Sequence, residues 1–142
     1  MSYRCCTCDK PLGECRCVDT PVDPLEALAA AGRALLAETE RVNAEIAALE
    51  KRITDAGAGV NAWVESGFNE GIQIGYQKMG GEFCLYITGK NSHTQPLLSA
   101  SRSVRTAALK AAGTWFPALV AALTTEARRQ VEEMLIALKS VL

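Results

Sequence analysis

The chain has 142 residues, 49% of them apolar but only 6% aromatic, which is material for one ordinary domain with a core of Ala, Leu, Val and Ile. Its 15 basic and 16 acidic residues leave a formal net charge of −1, so no global attraction to nucleic acid or to a membrane surface is expected. No charged-then-apolar leader opens it, and its longest apolar run, Phe116 to Leu123, is broken by Pro117. A soluble, cytoplasmic protein without a membrane span is the expectation.

Five of the six cysteines fall inside "YRCCTCDKPLGECRC", residues 3–17. In a reducing compartment clustered thiols are more often ligands or redox groups than disulfides. Cys5, Cys8, Cys15 and Cys17 form two short knuckles, CxxC and CxC, joined by a turn containing Pro11 and Gly13. Four thiolates so arranged can supply the tetrahedron that structural zinc needs, with Cys6 as an alternative to Cys5. An iron–sulfur cluster, a regulatory dithiol and free thiols are the competing readings. With no neighbouring histidine or acidic pair, the metal would staple the start of the chain and perform no catalysis. Residues 1–18 are therefore expected to be a Cys-rich, zinc-binding head.

Residues 19–58 read as a linker and a helix. In "DTPVDP", Asp23 and Pro24 provide an N-cap and a first helical residue. Beyond them Leu28, Leu35, Val42 and Leu49 recur every seven residues, and Leu25, Gly32, Thr39, Ile46 and Ile53 form a second such series. This is a heptad pattern, poor in its first half and good in its second. It predicts a homo-oligomer assembled through Leu28, Leu35, Val42, Ile46, Leu49 and Ile53. "DAGAG" ends the helix with glycine C-cap chemistry.

Residues 59–142 are expected to form a small α+β domain. "VNAWVE" alternates weakly. "GIQIGYQ" sets Ile72, Ile74 and Tyr76 on one face, and "EFCLYIT" sets Phe83, Leu85 and Ile87 on one face with Cys84 and Tyr86 on the other. Gly80 and Gly81 between them signal a hairpin. "GKNSHTQP" reads as a loop, residues 97–112 as a helix, "GTW" as a break, and Pro117 as the start of a second, amphipathic helix. The fold class is α+β: a Cys-rich knuckle, a long heptad helix and a small antiparallel sheet packed against two C-terminal helices.

Catalytic constellations are scarce. The single histidine, His93, sits in a polar loop, so no histidine-bearing triad can be assembled, and no phosphate-binding glycine loop occurs. A non-enzymatic protein is expected. The segment "SASRSVRTAALK" offers an anion site instead: Ser101 at a helix start, Arg102 and Arg105 on one helical face, and Tyr76 and Tyr86 as stacking surfaces. Trp115 and Phe116 read as core; Trp63 reads either as core or as an exposed anchor.

Over "GYQKMGGEFCLYI", "PLLSASRSVRTAAL" and "FPALVAAL" the chain resembles small uncharacterised proteins of phage and prophage genomes. The resemblance implies an accessory protein that acts by binding: a host-defence inhibitor, a ligand-sequestering protein or a regulator. Its partner would be a macromolecule or a small anionic ligand. The alternative expectation is a zinc-dependent nucleic-acid-binding regulator, in which the head and Arg102, Arg105, Arg128 and Arg129 contact phosphates.

Overall fold

The computed structural model of the chain describes residues 23–89 and 93–142. The Cys-rich head lies outside them. The fold is α+β: a long N-terminal helix, a four-stranded antiparallel sheet and two C-terminal helices.

Helix α1 spans Pro24–Ala56. Its entry follows the sequence: the Asp23 carboxylate accepts the Leu25 N–H at 3.1 Å, and Pro24, which has no N–H to lose, takes the first helical position. Its exit falls at Gly57, whose φ of 70° only glycine adopts without cost and whose N–H bonds the Thr54 carbonyl at 3.0 Å. The chain divides into two compact units at residues 38 and 39. In the first, the helical residues up to Glu38 are exposed throughout. In the second, Ile46 and Ile53 are buried among side chains of the sheet and of the C-terminal helices, with Val42 and Leu49 packed against them.

Where the heptad pattern suggests a second copy, the better half of the seam meets side chains of its own chain: Ile46 and Ile53 are core residues, and Val42 and Leu49 are partly buried against them. The compact unit that holds the sheet begins at Thr39, and these turns of α1 supply part of its core. A seven-residue apolar repeat fits a neighbouring helix and a neighbouring sheet equally well, so spacing alone does not tell the two apart.

The sheet is a meander, β1 (Ala62–Glu65), β2 (Gln73–Met79), β3 (Glu82–Thr88) and β4 (Thr94–Pro96), in spatial order 1-2-3-4. Gly80 and Gly81, at φ 64° and 93°, form the two-residue loop between β2 and β3, since both central positions of such a turn need positive φ. The register pairs Ile74 with Ile87 and Tyr76 with Leu85. These residues share the face that closes on the core, together with Val64. The other face carries one row across all four strands: Trp63, Gly75, Tyr86, Pro96. β4 forms in the segment that the sequence presents as loop; three residues are too few to show alternation.

Both inner strands outrun their neighbours, and side chains complete the pairing. β4 reaches only as far as Tyr86, and just beyond it the Leu85 N–H donates to the Glu50 carboxylate of α1 at 3.0 Å. β1 ends at Ala62, and beyond it the Lys78 N–H donates to the Asn61 side chain at 3.2 Å. Unpaired edges invite foreign strands, and these two bonds shorten them.

After a single turn of 3-10 helix, Leu97–Ser99, come α2 (Arg102–Lys110) and α3 (Ala112–Val141), which meet at 76°. The buried Trp115 fixes the corner by donating its indole N–H to the Ala108 carbonyl at 2.7 Å. α3 starts five residues before Pro117, which the sequence places at its start. Pro117, the sixth helical residue, has no N–H to give the Gly113 carbonyl, so the helix forgoes one bond there. No single helix among the described residues is long and apolar enough to cross a membrane.

Candidate functional site

Of the residues singled out by sequence, Cys5, Cys6, Cys8, Cys15 and Cys17 lie outside the described residues. Among the described residues no group of three or more His, Cys, Asp or Glu could hold a metal.

The five residues expected to form an anion site do not converge. Tyr76 lies on the core face, where its hydroxyl pairs with Thr54 Oγ1 at 3.0 Å and its ring stacks on Phe83 at 5.3 Å. Tyr86 lies on the opposite face, as the pairing of residue 75 with 86 and of 76 with 85 requires. Ser101 is the N-cap of α2, accepting the Val104 N–H. Arg105 donates to the Asn43 side chain of α1 and so joins two helices. Ser101 and Arg102 are both exposed and, with Ser103 and Lys110, line a shallow depression along α2.

The reactive groups of the outer sheet face are quenched by their surroundings. Burial pushes the Cys84 thiol up from its ordinary value, with the charges of Glu50 and Glu82 adding to the effect. Burial likewise raises the Tyr86 phenol, assisted by Cys84, Glu50 and Glu82. At neutral pH both groups keep their protons, the reverse of what a nucleophile or general base requires. Trp63 on this face covers Gly75 and donates to Gln77 Oε1 at 3.0 Å, so one side of its ring is spent on packing.

The surplus of exposed apolar surface lies elsewhere. From residue 131 onward no residue of α3 is buried. Val131, Met134, Leu135, Leu138 and Val141 are each at least 51% exposed, and they recur at the three- and four-residue spacing of a single helical stripe. Alongside the stripe Arg129 is clamped by Glu126 at 2.6 Å and Glu133 at 2.5 Å. In α1, Leu25 and Leu28 are also exposed, at 71% and 67%. The α3 stripe left no mark as a site at the level of sequence, because its spacing continues without interruption from the buried residues Trp115, Leu119 and Leu123. Comparison with protein-family models, with curated proteins and with solved structures returns no match.

Proposed function

We infer that the chain is a non-enzymatic binding protein that self-associates through the distal half of α3. The observation that carries this reading is the stripe Val131, Met134, Leu135, Leu138 and Val141, on three helical turns where every residue is exposed among the described residues. A helix of about 12 residues without tertiary contacts is marginal in water, so these turns need a partner to persist. Full burial of each such side chain contributes about 1.5–3 kcal/mol. Val131 and Leu138 stand seven apart, as do Met134 and Val141, and the two series are offset by three. That is the spacing by which one helix packs along a copy of itself.

The quenched Cys84 and Tyr86 support a binding role over a catalytic one. A phage or mobile-element accessory protein, acting as inhibitor, ligand-sequestering protein or regulator, is the setting that the sequence resemblance implies. The nucleic-acid reading has less support, because Arg105 and Arg129 of its four arginines are engaged within the fold. A zinc-stapled head remains the proposal for Cys5, Cys8, Cys15 and Cys17, and metal analysis of the purified chain tests it. Self-association is tested by mass in solution: the wild-type chain should be a multiple of 15.2 kDa, and Leu138→Glu should lower it.

A further inference from the structure

Where the end of α1 meets the first half of α3, a hollow of about 380 Å3 opens to the surface. Its walls are apolar: Ile53 and Leu123 are buried beneath it, and Phe116 and Val120 line it, with Val120 still 41% exposed. Among the described residues, Arg52 and Arg128 are the only charged ones that line it. Three acids near it on the same helices are engaged elsewhere, Asp55 with Lys51 at 2.7 Å, and Glu126 and Glu133 with Arg129. Among the described residues neither Arg52 nor Arg128 has an ion-pair partner. The Arg52 guanidinium is set against Phe116, 4.9 Å from the ring centroid. A guanidinium set against a ring in this way still has N–H donors to turn toward an anion.

An apolar cavity with two cations and no anion is complementary to one kind of molecule. We propose that the hollow binds a small amphipathic anion, a carboxylate at the end of a hydrocarbon body. The hydrocarbon lies against Phe116, Val120 and Leu123, and the carboxylate meets Arg52 and Arg128. The volume is at the small end of the ~300–1,000 Å3 range of ligand sites, which suits a single medium-length chain and not a two-chain lipid. The inference is independent of self-association, since none of the hollow's residues belongs to the 131–141 stripe.

The test is calorimetric titration of the full chain with decanoate, kept below its micelle concentration, beside decanol as the neutral match. Decanoate should bind saturably at one site per chain, and decanol about tenfold or more weakly, as loss of a charge-assisted hydrogen bond implies. Arg52→Gln and Arg128→Gln, both on exposed positions, should each weaken decanoate by about tenfold. Val120→Asp, which places a carboxylate in the hollow, should abolish binding while the circular dichroism spectrum stays that of the wild type. Decanol binding as tightly as decanoate, arginine variants that bind like wild type, or no saturable heat at all would each overturn the proposal. So would a Val120→Asp chain that binds decanoate normally but has lost mass, since the hollow would then be a contact between copies.

Discussion

Trp63 covers Gly75. The two are cross-strand partners on the outer face of the sheet, and a methyl group added at Gly75 would fall inside the van der Waals envelope of the indole ring. Gly75 is buried at ordinary φ, so the glycine is required by space and not by backbone conformation. Gly75→Ala should therefore destabilise the fold by about 1–3 kcal/mol, the usual cost of overpacking. In Trp63→Ala the same change should cost little, and the double-mutant cycle from denaturant unfolding should show strong coupling. Simple additivity of the two substitutions would mean that the ring does not rest on residue 75.

Glu50 closes the edge of β3 by accepting the Leu85 N–H. Glu50→Ala leaves that donor unpaired beside a buried side chain and should cost about 1–3 kcal/mol, read as a lowered denaturant midpoint at unchanged slope. Glu50→Gln keeps an acceptor and should recover most of the loss. An alanine variant as stable as the wild type would show that water serves the Leu85 N–H equally well.

Glu126 should titrate abnormally low. The Arg129 hydrogen bond, then that of Gln130, hold its carboxyl at about 2 against an ordinary 4.5. A depressed folded-state value means that the contribution is complete above about 4.5 and is lost as pH falls towards 2. Both groups face solvent, so salt will screen the effect. An NMR titration of the Glu126 side-chain carboxyl should show a midpoint well below 4, rising towards the ordinary value in Arg129→Gln. The same midpoint in both proteins would contradict the clamp.

The sequence shows the elements well and their partners poorly. Asp23-Pro24, Gly57 and the Gly80-Gly81 pair mark their boundaries because each has a local chemical cause. Alternation also puts Tyr86 opposite Leu85 on its strand; the added fact is the register, which sets Tyr76 beside Leu85 and so separates the two tyrosines. Helical spacing in α1 says which side chains share a stripe, but Ile46 turns inward and Leu28 outward for reasons that lie in what folds against them. The same holds in α3, where Leu119 and Leu138 look alike in sequence and have opposite exposures.

The central claim, that the distal stripe of α3 joins copies of the chain, is tested most directly by light scattering coupled to size-exclusion chromatography. The wild type should elute at a multiple of 15.2 kDa that falls towards one copy on dilution. Leu138→Glu together with Met134→Glu should give one copy that keeps the folded domain, because neither residue packs on it, and whose unfolding midpoint no longer depends on protein concentration. A wild type of 15.2 kDa at every concentration, or a double variant with the wild-type mass, would contradict it.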